Sequence, residues 1–242
     1  MSRKSGISFT LISLLSLFLF VSAPAGAAAA GSSHTPEGDG KDSAFEIIKA
    51  LQKDIHSLSA TIHQEKHHAI LKDAIYVEGR IFLEKPGLLR WEASAPERSV
   101  TVVDSSMLTV YYPDMKEAEQ YKLSEHFLAK NTMGFLSSVM WGSLEELEKK
   151  FSLNISRSSG QIVFMLRPLS GIVQRYLSSV RIAYDENTGL PLSFEVVTPR
   201  GDRTRTTLTD TKVNPILGPE TFHIRLPDDV LITNNLEPID TR

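Results

Sequence analysis

The stretch Val77 to Leu123, VEGRIFLEKPGLLRWEASAPERSVTVVDSSMLTVYYPDMKEAEQYKL, decides how the chain folds. Its apolar runs are short: Ile81 and Leu83; Leu88, Leu89 and Trp91; Val100, Val102 and Val103; Leu108, Val110 and Tyr111. Between them stand Lys85-Pro86-Gly87, Ser94 to Arg98, Asp104-Ser105-Ser106 and Tyr112-Pro113-Asp114, all rich in turn-forming residues. Short apolar runs punctuated in this way are the pattern of antiparallel strands joined by tight turns. Proline fixes φ and has no N–H to give to a ladder, so Pro86, Pro96 and Pro113 are expected at strand ends. At least five strands then follow one another with almost no helix between them.

Upstream, Asp73 to Leu83 places Ile75, Val77, Gly79, Ile81 and Leu83 on one face of a pleat. A glycine inside a strand permits a bend or a close backbone approach, as a curved sheet requires. From Leu58, the alternation of Leu58, Ala60 and Ile62 with polar residues fits an edge strand or a helix end, and a strand is the favoured reading. Before it, Phe45, Ile48, Leu51, Ile55 and Leu58 recur at spacings of three and four, which predicts an amphipathic helix capped by Asp42 or Ser43 and packed on the sheet.

Downstream, Glu117 to Leu123 is one more strand, and then the pattern changes. Ser124 to Trp141 contains Phe127, Leu128, Met133, Phe135, Leu136, Val139, Met140 and Trp141, which predicts one or two short helices broken near Gly134 and apolar over more than a narrow stripe. Leu144 to Phe151 is a further short helix. Strands resume at Leu153 to Arg157, Ile162 to Arg167, Val180 to Tyr184, Pro191 to Thr198 and Thr204 to Lys212, with hairpin turns at Ser158-Ser159-Gly160 and Asn187-Thr188-Gly189. Phe222 to Leu231 is a last extended segment. About ten strands with one helical insertion imply a mainly β fold of α+β type. The expected architecture is one strongly curved antiparallel sheet, an open and incomplete β-barrel, with a helical lid over its concave face.

The N-terminus has Arg3 and Lys4, an apolar run from Ile7 to Val21 and small residues from Ser22 to Ala30. This is the pattern of a secretory signal peptide over residues 1–30, and its core is short of the roughly 20 apolar residues that span a bilayer. Cleavage is expected after Ala27 or Ala30; after Ala30 it leaves 212 of the 242 residues and, by removing Arg3 and Lys4, takes the formal charge from −3 to −5. Residues 31–41 are polar and glycine-containing, a flexible leader, and 42–242 form a single domain. The absence of cysteine excludes a disulfide framework and a lipidated N-terminal cysteine. A mildly acidic chain without a basic block gives no footprint for nucleic acid. These features together predict a soluble, extracytoplasmic protein.

Catalytic patterns are weak. Trp141-Gly142-Ser143-Leu144-Glu145 lacks the glycine on both sides of serine that a nucleophile elbow needs, so Ser143 is better taken as a helix cap. His63 and His67 share a face, but Gln64 follows His63 where a zinc protease has glutamate, and no third ligand is evident beside them and His68. No phosphate loop is present. No metal and no cofactor are therefore expected. What remains is an apolar cavity under the segment around Phe127 to Trp141, where methionine would adapt to varied apolar shapes. By pattern alone the same residues fit an ordinary core equally well.

The order of a small residue, a strand, a basic residue before proline, a basic residue before tryptophan, proline, a strand, aspartate and Tyr-x-Pro resembles the LolA family of periplasmic carriers for outer-membrane lipoproteins. It is carried by Gly79, Lys85-Pro86, Arg90-Trp91, Pro96, Asp104 and Tyr111 to Pro113, and continues through Val180 to Tyr184, Asn187 to Gly189, Phe194 and Phe222 to Pro227. The resemblance covers Ala44 to Leu231. It implies a non-enzymatic, monomeric periplasmic chaperone in lipoprotein transport and outer-membrane biogenesis. Such a carrier takes acylated lipoproteins from an inner-membrane transporter, holds their acyl chains in a hydrophobic cavity and delivers them to an outer-membrane acceptor. The lining implied for it is Trp91, Phe127, Leu128, Met133, Phe135, Leu136, Met140 and Trp141. Much of the family has an arginine before the proline, holding the lid closed through several carbonyls; here Lys85 stands there, a single point charge, with Arg90 as the alternative latch. A LolA-like binding or sensor protein for another lipid or a protein partner, or an enzyme with an unrecognised site, is the alternative.

Overall fold

The structure is a computed structural model and describes residues 39–125, 135, 138–141 and 144–233. The signal peptide and most of the leader lie outside these residues, as do Phe127, Leu128, Met133, Gly134 and Leu136.

The meander forms as its turns dictate. Strands β1 (Ser57–His67), β2 (Ile75–Glu84), β3 (Leu88–Ala95), β4 (Ser99–Val103), β5 (Met107–Tyr112) and β6 (Glu117–Lys122) pair consecutively and antiparallel. Pro86, Pro96 and Pro113 each fall just outside a strand, where the missing N–H costs no ladder bond. Asp104 shapes the β4–β5 turn, its Oδ1 accepting the backbone N–H groups of Ser106 and Met107, each at 2.7 Å. Partial burial opposes ionisation of this carboxyl, yet those N–H groups outweigh it and hold its pKa below the usual value.

The second half adds β7 (Phe151–Ser158), β8 (Gln161–Pro168), β9 (Ser179–Asp185), β10 (Pro191–Val197) and β11 (Arg203–Val213). Between β7 and β8 only Ser159 and Gly160 intervene, with φ of 54° and 74°, the left-handed pair that a two-residue hairpin needs. The β9–β10 turn is held by Asp185, whose Oδ1 accepts the N–H groups of Asn187 and Thr188, and Gly189 supplies its positive φ. β11 returns to pair with β1, so the sheet order is β12-β6-β5-β4-β3-β2-β1-β11-β10-β9-β8-β7, with β12 being Leu231–Thr233. β12 and β7 are its two edges, and the sheet is mostly β and not closed.

Several boundaries differ from the sequence expectation. β1 is a central strand, not an edge, because β11 pairs along its free side; Asn214, just beyond β11, accepts the N–H groups of His56 and Ser57 and donates to the carbonyl of Asp54. Helix α1 (Asp39–Gln52) begins ahead of Asp42 and Ser43 and stops at Gln52, so Ile55 and Leu58 belong to the turn and to β1. Helix α2 (Leu144–Glu148) is shorter than expected, and Phe151 opens β7. The segment Phe222 to Leu231 is not a strand. A 3-10 turn at Pro219–Phe222 leads into irregular chain, and only at Leu231 does β12 pair, parallel, with β6. A four-residue helix, α3 (Gly171–Gln174), was not legible.

One face of the sheet carries the main core. Alternate residues of successive strands meet across the ladders: Leu58 faces Leu83, Leu83 faces Leu89, Leu89 faces Val103 and Val103 faces Leu108. In the other half Phe194 faces Ile182 and Ile182 faces Phe164. α1 adds Ala44, Phe45 and Ile48 to this cluster, with the Phe45 ring stacked on Phe164 at 5.6 Å. Gly79 sits where β2 shifts register against β3, and a Cβ there would overlap the carbonyl oxygen of Glu92. Close approach, rather than a positive φ, is why this position takes glycine.

The opposite face is covered over β3 by the chain between β11 and β12. Arg90 reaches out from β3, and its Nη1 donates to the carbonyls of Thr221 at 3.3 Å and His223 at 3.4 Å. Phe222, between them, is buried.

Candidate functional site

The candidate site is the core-bearing face of the sheet and the segment that covers it after β6. Four of the residues expected there are described. Trp91 lies on this face of β3, buried between Ile81 and Thr101. Residues 135 and 138–140 are helical, and Phe135, Val139 and Met140 are buried in the same cluster as the strands, with Trp141 half-buried against it. The Phe135 ring stands 5.5 Å from that of Phe151 at 59°. The carbonyl of Val139 accepts the hydroxyl of Tyr184 at 3.0 Å, which ties the segment to β9. Burial pushes this phenol far above its ordinary pKa, so the hydroxyl remains a donor. The Tyr184 ring in turn packs edge-on against Phe164 at 5.3 Å.

The two latch candidates separate. Lys85 Nζ lies 5.3 Å from the centroid of the Trp141 ring, so the turn between β2 and β3 touches the end of the covering segment. Arg90 points to the other face, since it alternates with Leu89 and Trp91 along β3. Its described partners are Glu92, at 2.7 Å from Nε, and the carbonyls of Thr221 and His223. Arg90 therefore clamps the returning C-terminal chain, and the expectation that it latches the lid is corrected.

The inner face changes character along the strands, which sequence reasoning missed. Near the covering segment it is apolar: Leu58, Ala60, Ile62, Leu83, Leu89 and Leu108. Towards the other end the same alternation brings in Gln64 and Lys66 on β1, paired in register with Thr206 and Thr204 on β11. Gln64 Nε2 donates to Thr206 Oγ1 at 2.9 Å, and burial lowers the ammonium of Lys66 to about 8. Buried Glu119 on β6 accepts the Tyr121 hydroxyl at 2.6 Å. Continuing the alternation of Leu58, Ala60 and Ile62 by two more steps would have put Gln64 and Lys66 on this face.

His63 and His67 are on the outer surface, while His68 lies in the β1–β2 loop with Nδ1 3.7 Å from Asp202 Oδ1. His63 Nδ1 is 2.6 Å from Glu78 Oε2 and its Nε2 is 3.1 Å from Thr209 Oγ1, while His67 meets Glu65 at 2.9 Å. Among the described residues no group of three His, Asp or Glu side chains could hold a metal ion. Also among them, no helix is long and apolar enough to cross a membrane.

The described residues form an unclosed sheet with an apolar inner face under a helical segment. The sequence pattern of the family described as outer membrane lipoprotein carrier protein LolA matches residues 53–225, and the chain belongs to this family. Its members are non-enzymatic binding proteins. An outer-membrane lipoprotein carrier protein from Pseudomonas syringae pv. tomato is 24% identical over 189 residues, covering 78% of this chain and 86% of the relative. One from Hahella chejuensis is 24% identical over 187 residues, covering 76% and 85%. In fold, an uncharacterised conserved protein from Thermus thermophilus superposes with a TM-score of 0.53 at 11% identity, covering 81% of this chain and 99% of the other.

Proposed function

We propose that the protein is a soluble, monomeric periplasmic carrier, exported by its signal peptide, that holds the acyl chains of outer-membrane lipoproteins against the inner face of the sheet. In this reading an inner-membrane transporter loads it and an outer-membrane acceptor unloads it. Each methylene kept from water is worth about 0.8 kcal/mol, so a diffusing carrier must cover the chains throughout transit. The observation that carries the reading is the seating of Phe135, Val139 and Met140 on the inner face of an unclosed sheet. A segment attached to the face by side chains, rather than by a ladder, can lift without breaking the sheet. Phe127 to Trp141 is the proposed lid, with Lys85 its latch, and Trp91, Phe127, Leu128, Met133, Phe135, Leu136, Met140 and Trp141 the proposed lining.

The test uses the absence of native cysteine. In the variant Lys85→Cys, Trp141→Cys, a bifunctional maleimide would tie the lid end to the β2–β3 turn. Uptake of a fluorescent acyl probe should be blocked by the crosslink, compared with the same variant before crosslinking. Uptake that continues after crosslinking would make the segment ordinary core. Native mass spectrometry of the exported protein identifies the cargo: a lipoprotein mass supports the carrier reading, whereas a free lipid mass replaces it with that of a LolA-like protein for another lipid.

A further inference from the structure

Antiparallel pairing brings the β1–β2 loop (68–74), the β8–β9 connection (169–178) and the β10–β11 loop (198–202) to one end of the sheet. It is the end away from the β2–β3 turn that carries Lys85. Here Ile70 is 92% exposed, Leu71 53%, Tyr76 63%, Leu169 58% and Ile172 49%. A single exposed aliphatic side chain is ordinary, but several on loops at one end of a sheet mark an interaction surface.

Cations outnumber carboxylates at this place. Lys72, Arg175, Arg200 and Arg203 are exposed on or beside these loops, and no carboxylate occurs between Glu148 and Asp185. The loops themselves hold Asp73 and Asp202, and Asp202 is engaged: Oδ1 accepts the Ala69 N–H at 2.9 Å, and Oδ2 accepts the Thr198 hydroxyl at 3.3 Å. On the β3–β6 side of the same end, Asp114 and Asp229 pair with Arg98 and Lys116. A chain of formal charge −3 thus gathers cations around these exposed apolar tips.

We propose that this end docks on an anionic phospholipid surface, with Ile70, Leu71 and Ile172 entering the interface and Lys72, Arg175, Arg200 and Arg203 meeting lipid phosphates. A plane suits these tips better than a protein groove does. They stand on separate loops, with β11 and β10 lying between β1 and β9 in the sheet, and Ile70 has almost no protein against it. Weak apolar insertion becomes stable attachment when a basic patch accompanies it, and both signals are present here. Docking by this end leaves the contact of Lys85 with Trp141 at the far end of the sheet.

The test is flotation of the exported protein with vesicles of phosphatidylcholine alone or with about a quarter phosphatidylglycerol. The wild type should float with the anionic vesicles, and less as salt is raised. Ile70→Asp with Leu71→Asp, and separately Lys72→Glu with Arg200→Glu, should each lower partitioning by about tenfold or more. Both pairs are on the surface, so acyl-probe uptake and circular dichroism should match wild type. No flotation of the wild type, equal flotation on neutral vesicles, or unchanged flotation of either variant overturns the proposal, even if this end is found to capture a protein. None of these outcomes bears on acyl binding, which the uptake control reports separately.

Discussion

The ammonium of Lys85, on the turn between β2 and β3, lies 5.3 Å from the centroid of the Trp141 ring at the end of the covering segment. An ammonium over an indole is attracted by the negative face of the ring, by about 0.5–2 kcal/mol according to its exposure to water. Unlike a guanidinium, it has no planar fork to hold several carbonyls together. If this contact is the latch, Lys85→Leu should speed delivery of a labelled lipoprotein to acceptor membranes, by about threefold for a contact near the low end of that range. Lys85→Arg should slow it, since a guanidinium also stacks on the ring. Identical transfer times for both variants and wild type would remove Lys85 from the mechanism.

Tyr184 holds the same segment from below. Its hydroxyl donates to the carbonyl of Val139, and both groups are buried. Tyr184→Phe keeps the ring that packs on Phe164 but leaves that carbonyl without this donor, a loss of about 1–3 kcal/mol. Thermal unfolding should shift down accordingly. Hydrogen exchange should rise selectively at residues 138–141, if the bond ties the segment to the sheet. A stability loss with no local rise in exchange would mean that the hydroxyl serves the core and not the lid.

Gly79 tests the curvature of the meander. Any side chain there meets the carbonyl of Glu92, which is backbone and cannot rotate away. Gly79→Ala should cost about 1–3 kcal/mol, the usual range for overpacking, and displace β3 from β2. A stability within about 0.5 kcal/mol of wild type, as for an ordinary surface site, would contradict the close approach.

The strands were legible because their signals are local. Pro86, Pro96 and Pro113 end strands wherever the chain runs next, and Ser159-Gly160 makes its turn from its own two φ angles. The features that escaped depend on distant chain. β1 reads as an edge strand because nothing near Leu58 announces that β11, some 140 residues later, pairs with it. The helical period continued through Ile55 and Leu58 although the helix ends at Gln52, because a strand and a helix can both place an apolar residue at that spacing. The lid segment was legible in part: its broad apolar composition pointed to the inner face, where Phe135, Val139 and Met140 are found. Its contact with Lys85 could come only by resemblance. The place of Arg90 on the outer face is not legible, because a basic residue beside Trp91 does not disclose which face of the pleat it occupies until the partner of each face is known.

Glu92 and Arg90 provide a prediction about acidity. Glu92 accepts from Arg90 Nε at 2.7 Å and from Arg80 Nη2 at 3.1 Å, leaving Arg90 Nη1 directed at the carbonyls of Thr221 and His223. Burial alone would raise this carboxyl, but the two guanidinium groups outweigh it and hold its pKa below the usual value. A depressed folded-state pKa adds stability that is present above the unfolded value of about 4.3 and is lost as pH falls through the folded one. Wild type should therefore exceed Glu92→Gln in urea midpoint at neutral pH, and the gap should close as pH falls below the ordinary carboxylate range. Because the carboxylate also aims Arg90, the glutamine variant should show faster amide exchange at residues 221–223. Arg90→Met should do the same while leaving acyl-probe uptake intact, as expected of a clamp on the outer face. A gap that stays constant from neutral to acid pH would mean that ionised Glu92 is not what holds the clamp in place, and uptake lost with Arg90→Met would return that arginine to the lid.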